Sequence, residues 1–136
     1  MPPAGDSSLT QMWYELGQIK RVVLDVLFDS GDGSFAATAL NHPIDGFLLR
    51  LVTNPGATAP TTLYDITLVD DAGSDVLQGV GMDRSATDTE DAPIVYAGTA
   101  NHPAVSPSET LTLTIANQAV VSATTQITIW YSACSD

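Results

Sequence analysis

The chain has 136 residues, enough for one domain with one core and too few for two of ordinary size. Sixteen Asp and Glu face only four basic residues, Lys20, Arg21, Arg50 and Arg84, and the formal net charge is −12. A surface without clustered cations argues against nucleic acid and anionic lipid as partners, and no apolar run approaches the roughly 20 residues of a membrane-spanning helix.

The first residues carry no basic stretch and no apolar run, so no secretory signal is read there. Ser8-Leu9-Thr10-Gln11 has capping-box spacing, and Leu9, Met12, Trp13 and Leu16 then share one helical face before Gly17. A short helix or hydrophobic arm is expected over residues 1–18. It would be under three turns long, and so would need to pack on the body of the protein or on a neighbour.

From Ile19 the period becomes two. Val22, Leu24, Val26 and Phe28 alternate with Arg21, Val23, Asp25 and Leu27, predicting a strand. Residues 29–34, Asp-Ser-Gly-Asp-Gly-Ser, read as a turn. A short strand is expected over 35–40, ended by Asn41-His42-Pro43. In the next strand, 44–52, Phe47, Leu49 and Leu51 are placed on one side. Tyr64, Ile66 and Leu68 alternate with Asp65, Thr67 and Val69, and a turn at 70–73 leads into a paired strand at 76–80. Residues 81–92 read as a polar loop, 94–96 as a short strand and 97–109 as a second loop. Leu111, Leu113 and Ile115 mark another strand. The last runs over 124–131, with Ile127, Ile129 and Tyr131 opposing Gln126, Thr128 and Trp130.

About seven or eight short strands separated by turns, with no helix long enough for a parallel crossover, predict an all-β antiparallel sandwich or barrel over 19–136. Jelly-roll, Greek-key and closed-barrel arrangements all fit this pattern.

No reaction centre is legible. His42 and His102 both stand in Asn-His-Pro, which reads as turn chemistry; a two-His metal site would need the two loops to converge. Asp29, Asp32, Asp70, Asp71 and Asp75 lack the ligand spacing of an EF-hand and also read as turns. No phosphate loop and no nucleophile elbow is present. The single Cys134 excludes an intrachain disulfide and a cysteine-based zinc site. The chain is expected to be no enzyme and to need no cofactor or metal.

Four segments resemble a small structural protein of tailed bacteriophages, of the capsid decoration or cement type. They are Pro43-Ile44-Asp45-Gly46-Phe47-Leu48-Leu49, Asn54-Pro55-Gly56-Ala57-Thr58-Ala59-Pro60, Tyr64-Asp65-Ile66-Thr67-Leu68 and Arg84-Ser85-Ala86-Thr87. The resemblance covers about residues 43–88 and includes no catalytic motif. It implies a virion location, commonly a homotrimer, and docking on a major capsid protein; a neck, tail or fibre-base component is the alternative. A secreted carbohydrate-binding or adhesin module is the reading from another class. Leu9, Met12, Trp13, Tyr14, Lys20, Arg21 and Arg84 are the expected interface residues, because aromatic and arginine side chains dominate interface energetics.

Overall fold

The computed structural model describes residues 6–95, 104–106 and 110–133, the side chains of 104–106 and Ala133 excepted. The described residues form nine strands and no helix. They are β1 (Ser8–Tyr14), β2 (Ile19–Leu27), β3 (Thr38–Ala39), β4 (Gly46–Pro55), β5 (Asp65–Val69), β6 (Glu90–Pro93), β7 (Ala104–Ser106), β8 (Thr112–Ala116) and β9 (Thr124–Ala133). Two antiparallel sheets result, an arrangement consistent with a β-sandwich. The larger runs β1-β2-β9-β4-β6, and β7 shares the outer edge of β4 with β6. The smaller runs β3-β8-β5.

The core lies between the sheets and follows the period-two pattern. Val22, Leu24 and Val26 of β2, Ile127, Ile129 and Tyr131 of β9, and Ile66, Leu68, Leu113 and Ile115 of the smaller sheet are all buried. Side chains on alternate residues of a strand share one face, which is why the sequence spacing locates them.

Strand β4 departs from this rule. The register shifts between Leu48 and Arg50, so Leu48 and Leu51 are both fully buried while Phe47 stays 39% exposed. The expectation that Phe47, Leu49 and Leu51 share one side is therefore corrected. An extra residue in one strand of a pair resets which side faces the core, and strict alternation cannot reveal it.

The N-terminal segment needs a larger correction. Residues 8–14 form an edge strand paired with β2 along its whole length, from Ser8↔Leu27 to Tyr14↔Arg21, and are not helical. Leu9, Gln11 and Trp13 share the inner face, and Ser8, Thr10, Met12 and Tyr14 the outer one. The same seven residues satisfy both periods over a short window. A marginal helix with nothing to stabilise it loses to a strand that gains a full ladder and packs Leu9 and Trp13 on the core. Gly17, with φ of 85°, serves the β1–β2 turn and caps no helix.

Other boundaries shift for local reasons. The expected strand at 76–80 begins as a pair, with Val69 bridging Asp75 and Val76 N–H donating to Leu68 O at 2.8 Å. It then curls into turns, because the Asp75 carboxylate accepts from the N–H groups of Leu68, Leu77 and Gly79 at 3.0 Å each. Of the strand expected at 35–40, only Thr38–Ala39 pairs. Strand β6 begins within the expected 81–92 loop, and beyond it Ile94 N–H donates to Leu49 O at 3.1 Å. Part of the 97–109 loop is β7, and Tyr96, His102 and Cys134 lie outside the described residues.

Buried polar groups tie the loops to the sheets. Asp29 is fully buried; its Oδ1 accepts from the N–H groups of Gly31 (2.5 Å) and Asp32 (3.2 Å). Its carbonyl accepts from Gly33 and Ser122. Asp65 Oδ1 accepts from Asp83 N–H at 2.8 Å, and Asp65 Oδ2 from the Asn117 amide. Gln118 joins the Thr61, Gly33 and Val120 segments through both ends of its amide. A buried polar atom without a partner is costly, so these bonds fix loop positions that backbone pairing leaves open; Asp29 Oδ2 is itself buried with no hydrogen-bond partner among the described residues.

Candidate interaction face

The outer face of the larger sheet is built in rows, because residues opposite one another in neighbouring strands project to the same side. One row reads Tyr14, Arg21, Trp130, Arg50 across β1, β2, β9 and β4. The next reads Met12, Val23, Thr128, Val52, Asp91 and the third Thr10, Asp25, Gln126, Asn54. The first two rows mix aromatic, apolar and arginine side chains; the third is polar.

The first row alternates cations with aromatic rings. The Arg21 guanidinium lies 4.1 Å from the Tyr14 ring centre, and that of Arg50 lies 4.4 Å from the Trp130 ring centre. Arg50 also makes a two-point ion pair with Asp91 of β6, Nε to Oδ1 at 3.0 Å and a terminal nitrogen to Oδ2 at 2.6 Å. The bonds from Arg50 hold the Asp91 carboxyl below the usual carboxylate range, and those to Asp91 raise the guanidinium above its own. In the polar row, the Gln126 amide donates to Asp25 Oδ1 at 2.9 Å.

At the β1–β2 turn the first row opens into a groove of about 340 Å³ lined by Trp13, Tyr14, Ile19, Lys20, Arg21 and Trp130, among others. Trp13 and Trp130, far apart in sequence, both line it. Ile19 is 55% exposed and Tyr14 46%. Neither Lys20 nor Arg21 has a carboxylate partner within 4 Å among the described residues. Glu15, beside them, already accepts from the Tyr131 hydroxyl at 3.3 Å and lies 3.8 Å from His42 Nδ1. Burial first, and the Glu15 carboxylate second, push the Tyr131 phenol far above its ordinary value.

The expected interface residues thus divide. Met12, Tyr14 and Arg21 stand together on the outer face, and Lys20 lines the adjoining groove. Leu9 and Trp13 point inward; Trp13 packs 4.9 Å from the His42 ring and donates to Gln11. Arg84 is elsewhere and structural: 5% exposed, it donates to Val80 O at 2.7 Å and pairs with Glu90 at 3.0 Å. Trp130, Arg50, Val23, Val52 and Asp91 complete the face and were not singled out from sequence. Their outward parity is readable strand by strand, but the neighbours of β9 are set by long-range pairing.

Among the described residues no group of three or more His, Cys, Asp or Glu is placed to hold a metal ion. Comparison of the chain with protein-family models, with curated proteins and with solved structures finds no match.

Proposed function

We propose that this is a non-enzymatic structural protein that works by docking the outer face of its larger sheet on another protein. We place it, on the resemblance in its middle segments, on the surface of a phage capsid as an oligomeric decoration protein. The observation that carries the docking reading is the row Tyr14, Arg21, Trp130, Arg50, in which two of the chain's four cations each stack on an aromatic ring on the outer sheet face. Arginine and aromatic side chains are enriched in interface cores and among the residues that dominate binding energy. Arg21 and Lys20, free of carboxylate partners among the described residues, complement a partner that presents carboxylates beside apolar groups. Arg21→Glu and Tyr14→Ser should each weaken association with purified expanded capsids at least tenfold while leaving the fold intact. Unchanged association in both would refute the assignment of this face.

A carbohydrate-binding role is the second reading, favoured by Trp13, Tyr14 and Trp130 lining one groove. Against it, Arg50 occupies the face of Trp130 and His42 packs on Trp13, so neither indole is an open platform. A glycan array with hits abolished by Trp130→Ala would favour this reading over the first.

A further inference from the structure

We infer that two copies of this chain pair through β1, antiparallel and about a two-fold axis, so that their larger sheets join into one. The reasoning starts from sheet edges, whose unpaired N–H and C=O groups template another strand unless they are blocked. Three of the four edges here are blocked or too short. The edge of the larger sheet opposite β1 is formed by β6 and β7, of four and three residues, and β6 carries Glu90, Asp91 and Pro93. The open side of β5 is occupied by residues 75–84, through Val76 N–H to Leu68 O, Ile66 N–H to Gly81 O and Arg84 N–H to Tyr64 O, each at 2.8 Å. Strand β3 has two residues. Strand β1 has seven, and its backbone is paired to no described residue outside β2.

Charge selects the occupant. The chain has sixteen acids, yet β1, Ser-Leu-Thr-Gln-Met-Trp-Tyr, carries no charge and no proline, the two usual protections of an edge. Two bodies of charge −12 repel, so self-association is least costly where the meeting strands are neutral. A register centred on Gln11 pairs all seven residues and keeps the faces in phase: Ser8 opposite Tyr14, Leu9 opposite Trp13, and Thr10 opposite Met12 of the second copy. The outer faces then run on, and two Tyr14–Arg50 rows are presented together, which multiplies avidity for a repeating surface. The inference is independent of what that face binds. It gives a closed two-fold dimer in place of the trimer that the resemblance implies.

Charge swaps across the two-fold axis test it. Thr10→Lys with Met12→Lys places like charges opposite one another; Thr10→Lys with Met12→Glu places opposite ones. Sedimentation velocity should show wild type and the Lys/Glu variant as dimers and the Lys/Lys variant as a monomer with unchanged circular dichroism, whose melting temperature no longer depends on protein concentration. Screening the net charge should tighten the wild-type dimer between about 20 mM and about 300 mM salt. Amide exchange in β1 should slow with protein concentration. A wild-type monomer at about 100 μM in the higher salt, a trimer, or equal dimerisation of both variants would overturn the proposal. Loss of capsid binding on Arg21→Glu with the dimer retained would leave it standing, so the two proposals fail separately.

Discussion

The guanidinium of Arg50 stacks 4.4 Å from the ring centre of Trp130 and at the same time closes a two-point bond on Asp91. One side chain therefore joins β4, β9 and β6 on the outer face. The Asp91 pKa is depressed, so the pairing contributes above the ordinary aspartate value and is lost as pH falls through the lower folded value. Arg50→Met should return the Asp91 carboxyl to the ordinary range in a carbon-detected NMR titration. Because both partners are exposed, the substitution should leave the urea unfolding midpoint nearly unchanged.

The bulge in β4 makes a prediction about neighbours. Leu48→Ala should cost about 2–4 kcal/mol, because Leu48 is fully buried. Phe47→Ala should cost under about 1 kcal/mol despite removing more side chain, since Phe47 faces outward. Denaturant unfolding of the two variants checks this, and equal losses would contradict the bulge.

Arg84 should prove the most important cation for stability. Its side chain is buried, with a carbonyl and the Glu90 carboxylate as acceptors, and Glu90 also accepts from Ser85 N–H at 2.6 Å. Arg84→Met would strand both acceptors. Breaking a buried pair costs about 3–5 kcal/mol, and Glu90, being partly exposed, lowers the expectation to about 2–3 kcal/mol. Thermal melts of Arg84→Met and Arg21→Met should differ accordingly, with the second close to wild type.

Gly33 holds φ of 77°, and a Cβ there would sit 2.5 Å from the backbone carbon of Ala119. Gly33→Ala should destabilise by well over 1 kcal/mol, because strain and a backbone collision add. Asp29→Ala, which removes the acceptor of two turn N–H groups, should cost about 1–3 kcal/mol. Urea unfolding reads both.

Tyr64 and Tyr131 should resist ionisation. Burial raises both phenols, while the hydrogen bond between the Tyr64 and Thr125 hydroxyls at 2.9 Å works the other way for Tyr64. A folded pKa above the unfolded one means that the unfolded chain releases protons first as pH rises. Stability should hold up to about pH 10 and fall beyond it. Tyr131→Phe should move the alkaline unfolding midpoint upward, as followed by ultraviolet absorbance.

The all-β class and most of the core were legible because burial on one face writes itself as alternation: Val22, Leu24 and Val26, Ile66 and Leu68, Ile127 and Ile129 all lie where period two puts them. What was not legible depends on partners. Residues 8–14 fit helix and strand periods equally, and the ladder with β2 decides between them. The bulge at Leu48/Arg50 hides because one inserted residue leaves composition unchanged. The interaction face was half visible: Tyr14 and Arg21 stand close in sequence, whereas Trp130 and Arg50 join them only through the order β1-β2-β9-β4.

The central claim is that the outer face of the larger sheet is the docking surface, and cryo-electron microscopy of the particle that carries the chain tests it most directly. The account predicts the sandwich seated on the capsid shell with Tyr14, Arg21, Trp130 and Arg50 against the shell protein. That row turned to solvent, or no copy bound to the shell, would contradict it.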